Sequence, residues 1–386
     1  LGSPRAAIVG AGIAGLSAAI LLRRAGWDVR ILERSPEPVP IGAGILLQPP
    51  GLAVLERMGL RDRALERGAR IVHLDGRTRE GRNVLALDYA KWSPDCFGLG
   101  FHRGALWHLL HGTACEEGVA IEGGREIRAA EELGDVELIL VTAGSRTPLR
   151  GTLGLRDRTR PYEWGALWAN VPMPPGWRGD TLGQRVDGTR HMMGLLPVGF
   201  DANGQGPWLT LYWSERLDRI EALKARGWEA WREDVRRLWP EGHEATAGLR
   251  GFDDLAIAAY ADVNVHPWSR GHVGLAGDAA HGTSPQLGQG TTLALLDAEA
   301  LRSALAAERD VARALVSYAR SRRAHTRYYQ WASRTLTPFF QSERPGYAFI
   351  RDTFMGPAAG WPILRGEFLA TLTGHKAGVL WGRLRP

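Results

Sequence analysis

The stretch AAIVGAGIAGLSAAILLRRAGWDVRILER, Ala6 to Arg34, decides the fold. It opens on an apolar run, Ala6 to Val9, of the kind a buried parallel strand makes. Gly10, Gly12 and Gly15 follow in the spacing G-x-G-x-x-G. Ile13, Leu16, Ile20 and Leu21 then recur at three- and four-residue steps, which predicts a helix ended by Gly26. Asp28 to Leu32 reads as a second strand with Glu33 at its end. Each part has a mechanical role. Gly10 permits a tight turn, the missing side chain at Gly12 lets a pyrophosphate approach the backbone, and Gly15 lets the helix pack closely on the strands. The helix N-terminus offers unpaired N–H groups and the positive end of its dipole to phosphates. Glu33, 18 residues after Gly15, is placed to accept hydrogen bonds from a ribose. Glycine spacing alone is weak evidence in a chain with 49 glycines. Strand, glycines, helix, second strand and acid in that order predict a dinucleotide site. The acid favours a free 2′-hydroxyl, as in FAD or NAD, over the 2′-phosphate of NADP.

Outward from this stretch, 386 residues suffice for two domains or one elaborated one. Apolar residues make up 44% and charged residues 23%, as in an ordinary globular protein. No run approaches the roughly 20 apolar residues of a membrane span, so no span is expected. No signal peptide is visible, and Leu1 to Pro4, without an initiating Met, read as a trimmed terminus. Cys96 and Cys115 form no C-x-x-C, so neither a disulfide framework nor a zinc site is expected. A reducing cytoplasm fits, and both thiols read as inert core residues. His, Asp and Glu show no metal-ligand spacing. The formal net charge is +6, and only Lys91, Lys224 and Lys376 among 48 basic residues are lysines. The basic cluster Arg320 to Arg327, placed after a helix, reads as a solvated face, and no nucleic-acid partner is expected.

Ile41 to Pro49 reads as a glycine loop running into a short strand. Helices are predicted over 51–58 and 61–67, and strands over 71–74 and 83–87 around a turn at Gly76. Arg103 opens a helix that runs to about Glu117, with Leu106, Leu109 and Leu110 on one face. Strands at 119–121 and 136–141 extend the parallel sheet, the second ending in the turn Thr142 to Ser145. Near residue 160 the pattern changes to period-two alternation over 164–171, 182–186, 191–196 and 208–213. Two helices follow, near 215–225 and 227–238. Tryptophan concentrates here, from Trp164 to Trp239, as packing for the most part, in a segment that could cover an aromatic ligand. The α/β pattern returns with the strand Val273 to Ala276, then Gly277-Asp278-Ala279-Ala280-His281, a loop holding Pro285, Gly288 and Gly290, and a helix over 289–307. A further helix covers 310–329, and short helical pieces follow Pro338.

This second constellation pairs a carboxylate at a strand end, suited to polyol hydroxyls, with a glycine loop at a helix N-terminus, suited to a flat polar ring. With the first fingerprint it makes the chain resemble the FAD-dependent aromatic hydroxylases, the single-component flavoprotein monooxygenases of the p-hydroxybenzoate and salicylate hydroxylase type. The resemblance covers residues 5 to 330. It rests on GAGIAG (10–15), IGAGILLQP (41–49), RGALWHLL (103–110) and GDAAHGTSPQLGQG (277–290). It implies an α/β fold: a Rossmann-like FAD-binding domain from 1–160 and 261–330, with small excursions near 70–100. An antiparallel-sheet substrate domain is interleaved at 161–260, and a helical tail covers 331–386.

The resemblance also implies roles. Gly10, Gly12, Ala14, Gly15 and Glu33 hold the ADP half of FAD, with Arg34 nearby. Arg103 contacts the flavin side and Asp278 the ribityl chain. Pro285, Gly288 and Gly290 lie along the ring, and Gly42 to Ile45 line its other side. Non-covalent FAD, reduced by NADH or NADPH, reacts with O2 to a C4a-hydroperoxide that hydroxylates an aromatic or planar hydrophobic molecule. A monomer or homodimer is expected. Tyr212 is the candidate catalytic base, ahead of His191, Arg190 and Tyr260, and His281 is read as positional. The family's Asp-Gly after the strand at 136–141 is Ala143-Gly144 here, which bears on reduction by NAD(P)H. Rival readings are a same-fold flavoprotein doing Baeyer-Villiger oxidation, epoxidation or dehydrogenation, and a non-catalytic flavin binder. Halogenation lacks its W-x-W-x-I-P motif, and a purely NAD-dependent dehydrogenase has no use for Gly277-Asp278.

Overall fold

The computed structural model describes residues 2–38, 44–378 and 382–384. The predicted loop at 41–43 lies outside them. The strand Arg5–Val9 sits centrally in a six-stranded sheet, flanked by Asp28–Leu32 and Leu138–Val141, both parallel to it. Ala120–Glu122 extends one side. Val273–Leu275, also parallel, extends the other and ends in the antiparallel edge strand Ser269–Arg270. Strand ends carrying Gly10, Thr142 and Gly277 therefore converge, which is where ligands sit in such sheets. The helices Ile13–Arg24, Arg103–Glu116 and Gly290–Ala307 cover the sheet, and their Leu, Ile and Ala faces form one core with it.

A seven-stranded sheet forms the second layer, in the order 256–258, 164–172, 208–216, 191–199, 181–187, 73–78, 83–88. Its neighbours are antiparallel except Thr181–Asp187 and His73–Thr78. The strands His73–Thr78 and Asn83–Asp88 thus join this sheet from outside 161–260. The turn expected at Gly76 falls instead beyond Thr78, where Gly81 has φ +84°, and Gly76 pairs with Leu85 in mid-strand. The helix expected from Glu215 starts at Ile220, because the strand Trp208–Arg216 keeps its ladder to Arg216.

The helix expected over 310–329 runs Val311–Phe340, with Pro338 in its last turn, so Arg320 to Arg327 lie inside it. Arg322 is buried there, not solvated. Cys115 is exposed rather than a core thiol, while burial pushes the Cys96 thiol up to about 11.

Candidate active site

The first glycine turn is braced from several sides. Gly10 has φ +108°, and a Cβ there would come within 3.0 Å of the Ala143 backbone. A Cβ on Gly15 would lie 2.0 Å from the Gly10 carbonyl. The Thr142 hydroxyl donates to the Val9 and Gly10 carbonyls, both at 2.9 Å. Trp107 donates its indole N–H to the Ala11 carbonyl at 2.8 Å, fixing the Arg103 helix to the turn. The Glu33 carboxylate accepts from the Ala11 and Ser35 amides at 2.8 and 3.0 Å. Gly12, by contrast, is exposed, and a Cβ there would meet nothing within 4 Å. It is the N-cap of a helix without a side-chain cap, so the first amides face an open cradle.

The second turn touches the first. Gly277 has φ +60°, and a Cβ there would lie 2.9 Å from the Ala14 methyl. Asp278 is exposed and makes no hydrogen bond or ion pair among the described residues. Below it, the fully buried Asp297 accepts from the Gly277 amide at 2.9 Å. Asp297 also meets His281 at 2.5 Å and Arg322 at 2.8 Å. Burial pushes this carboxyl upward, but the attraction of His281 and Arg322 holds it down at about 2. Arg322 Nη1 lies 3.1 Å from His325 Nδ1, and His325 Nε2 lies 2.9 Å from the Gly374 carbonyl. His281 is thus part of the support beneath the turn.

The loop after it holds Pro285 exposed, Gly288 in the left-handed region (φ +61°) against Leu46, and Gly290 opening an eighteen-residue helix without a side-chain cap. Gln286 and Gln289 tether the loop, the first to Gln341 at 2.8 Å and the second to the Leu372 carbonyl at 2.9 Å. Arg34 and Arg103 are exposed at the rim. Arg150, which the sequence reading missed, is buried. It donates to the Ser145 and Ala279 carbonyls, joining the strand-end turn to the Asp278 turn. Thr142, Trp107 and Asp297 were missed as well. None of them carries a local sequence signal, because each acts through partners far along the chain.

The seven-stranded sheet has two unlike faces. Trp213, Trp231, Trp239, Met193 and Leu211 pack with the helix Trp228–Leu238 on one. The tryptophan cluster is therefore core, and the His191 ring lies against it, tilted at 53° with its centroid 5.8 Å from that of Trp213. Arg190 is exposed, 3.8 Å from Glu343. The other face carries Tyr212, opposite Trp168 and Gly194 in register. Its ring lies on Gly194, where a Cβ would come within 2.1 Å of it, and its hydroxyl takes the Gln184 amide. Burial drives the Tyr212 phenol far above its usual range. Burial pushes the Tyr260 phenol up to about 12, with the Arg103 charge pulling it partly back. Beside them a polar chain crosses between the layers: His102 to Asn170 at 2.9 Å, Asn170 to Thr210 at 2.5 Å, Thr210 to the Gly44 amide at 3.0 Å.

The open Gly12 cradle, the two uncapped glycine-led helices and the unpartnered Asp278 fit a dinucleotide bearing a flat ring. The profile of the FAD binding domain family matches residues 4–138 and 143–330. The chain belongs to this family. Among its relatives, 6-hydroxynicotinate 3-monooxygenase of Pseudomonas fluorescens is 28% identical over 386 residues, covering 92% of this chain and 97% of the relative. The 3-amino-4-hydroxybenzoate 2-monooxygenase of Streptomyces cremeus is 30% identical over 322 residues, covering 77% of each. The crystal structure of a variant of 2-methyl-3-hydroxypyridine-5-carboxylic acid oxygenase superposes with a TM-score of 0.77 at 25% identity, over 92% of this chain and 94% of that one. The protein is an FAD-dependent monooxygenase of the aromatic hydroxylase kind.

Proposed function

We propose that this monooxygenase hydroxylates a small planar aromatic or N-heteroaromatic compound held against the Tyr212 face of the sheet. The observation that carries the reading is Tyr212, its ring on Gly194 and its hydroxyl held by Gln184, on the sheet face turned away from the tryptophan core. The relatives named for hydroxynicotinate, aminohydroxybenzoate and a hydroxypyridine carboxylic acid support a ring bearing hydroxyl or amino groups.

Bound FAD supplies the redox and oxygen-activating chemistry, with NADH or NADPH as electron donor and O2 as oxidant. Gly10, Gly12, Ala14 and Gly15 would take its pyrophosphate, Glu33 and Arg34 its adenosine ribose, and Asp278 a chain hydroxyl. Arg103, Pro285, Gly288 and Gly290 would border its ring. No covalent attachment is invoked. Tyr212 stays a neutral phenol, so it orients a substrate heteroatom by a hydrogen bond and does not serve as base. Leu46, Leu182, Leu196, Leu369 and Leu372 pack as one cluster that keeps water from this side of the sheet.

The test is anaerobic reduction of the purified yellow protein by NADH and by NADPH, with and without a panel of hydroxylated and aminated rings. Reduction accelerated by one compound, followed by an oxygenated product in air, is the expected result. No flavin absorbance after reconstitution with FAD would sink the reading. A second reading rests on Ala143, which sets a methyl where the family has a carboxylate, next to Gly10. Failure of both nucleotides to reduce the flavin would favour same-fold oxidation or dehydrogenation chemistry.

A monomer or homodimer in the cytoplasm completes the proposal, checked by light scattering and fractionation. 2-Methyl-3-hydroxypyridine-5-carboxylic acid oxygenase has been solved in a tetrameric form. Among the described residues no helix is long and apolar enough to cross a membrane.

A further inference from the structure

Exposed helices of this chain usually interleave acids with bases. Glu233 meets Arg236 and Arg237 one turn on, at 2.5 and 3.0 Å. The long helix Val311–Phe340 departs from this, since its thirty residues contain no Asp or Glu. Val316, Arg320, Arg323, Arg327, Trp331 and Arg334 recur along it at three- and four-residue steps and line one wall of a cavity of about 630 Å³. Only Arg334 in this stripe has an acidic partner, Asp262 at 2.5 Å. Arg320, Arg323 and Arg327 are exposed, with no carboxylate within 4.0 Å among the described residues.

The opposite wall holds Asn264, His266 and Trp268. The strand Arg156–Pro161 pairs alongside, placing Arg156 opposite His266 and Arg158 opposite Asn264. Asp157 and Thr159 turn inward to Arg150, at 2.7 and 3.1 Å. By strand alternation Arg156, Arg158 and Arg160 stand on the face shared with Asn264 and His266. They too are exposed and lack a carboxylate within 4.0 Å among the described residues. Arg320, Arg323 and Arg327 thus bring three guanidinium groups without a carboxylate partner among the described residues to the cavity wall, with the exposed arginines of the neighbouring strand adding positive charge nearby. A bound anion would relieve their mutual repulsion.

The shape narrows the anion. The volume falls within the range of roughly 300–1,000 Å³ found for small-molecule sites. Its aromatic surface consists of indoles: Trp268, packed 5.2 Å from the His281 ring, and Trp331, 47% exposed. Guanidinium forks take phosphates in bidentate fashion, and an indole takes a flat ring on its face. We propose that this groove binds a nucleotide carrying two or more phosphates, with its base against the tryptophans. Of the GDAAHGTSPQLGQG motif the groove uses only Ala280, so it is a site distinct from that of FAD.

The test uses the FAD-loaded protein, titrated calorimetrically and by tryptophan fluorescence with ADP, NADH, NADPH and coenzyme A at fixed ionic strength. Saturable one-to-one binding of ADP, with no binding of adenosine, is expected. Tighter binding of NADPH than of ADP and coenzyme A would assign the occupant to the electron donor, and tighter binding of coenzyme A to a thioester source. Arg320→Glu with Arg323→Glu should weaken binding at least about tenfold while leaving FAD content unchanged. Arg320→Gln with Arg323→Gln serves if the charge reversal fails to fold, and Trp331→Ala should remove much of the fluorescence response. No saturable binding by any nucleotide, or equal binding by the variants, would overturn the proposal. So would affinity that grows with the length of a single-stranded oligonucleotide, the mark of a nucleic-acid surface.

Discussion

The cofactor half and the substrate sheet build their chemistry from different material. Around Gly12 and Gly290 the useful groups are backbone amides at uncapped helix ends, and glycines make room for what they bind. Few side chains face the ligand there, and Asp278 has no hydrogen-bond or ion-pair partner among the described residues. On the sheet the useful groups are side chains held by other side chains: Tyr212 by Gln184, Thr210 by Asn170, Asn170 by His102. On the backbone-built side a ligand-facing side chain can be lost without cost to the empty protein, and only the supports beneath the turns matter before ligand binds. A side-chain-built site suffers in the empty protein too.

The largest expected effect comes from Asp297, the buried carboxylate beneath the backbone site. Asp297→Ala leaves His281 and Arg322 uncompensated and should cost about 3–5 kcal/mol of stability, as for other broken buried pairs. Denaturant unfolding of the apoprotein checks it. The sign of the pH effect follows from the carboxyl being held at about 2 against an ordinary 3.8. Its stabilisation is complete above 3.8 and is lost as pH falls toward 2, so the variant should lack that part of the acid transition.

Asp278→Ala should separate ligand binding from folding. It removes one charge-assisted hydrogen bond, about 1.5–3 kcal/mol, and so weakens FAD binding about 10- to 100-fold. The unfolding midpoint of the apoprotein should stay unchanged, since Asp278 has no protein partner to lose. A destabilised apoprotein would show that this half relies on side chains after all.

Gly194→Ala probes the sheet by the opposite logic. A methyl 2.1 Å from the Tyr212 ring overpacks that face. It should cost about 1–3 kcal/mol in the apoprotein and slow turnover by displacing the ring. The smallest effect expected is that of Tyr212→Phe, about 1 kcal/mol for the lost hydrogen bond. Turnover should fall, yet its pH profile below 10 should keep its shape, because burial keeps the Tyr212 phenol protonated throughout. A wild-type activity limb below pH 10 that vanishes in this variant would restore Tyr212 as a base.

The contrast also explains what could be read in the chain beforehand. Glycine spacing is local, so both turns and their helices lie where GAGIAG and GDAAH place them. Asp28–Leu32 and Arg61–Arg67 match to the residue. Which sheet face Tyr212 occupies depends instead on pairing with strands far along the chain, and no local pattern tells that face from the one packed with tryptophan. The recruitment of His73–Thr78 into the second sheet is nonlocal in the same way. The burial of Arg322 could not be inferred from a run of arginines, because its partner Asp297 lies in another helix.

The tethers of the ring-side loop have a consequence for biosynthesis. Gln289 reaches the Thr371 and Leu372 carbonyls, and His325 reaches Gly374. Residues 10–15 are made long before residues 371–374, so the ring-side loop lacks these tethers until the later residues exist. A chain cut short before residue 371 would carry both glycine motifs without these tethers.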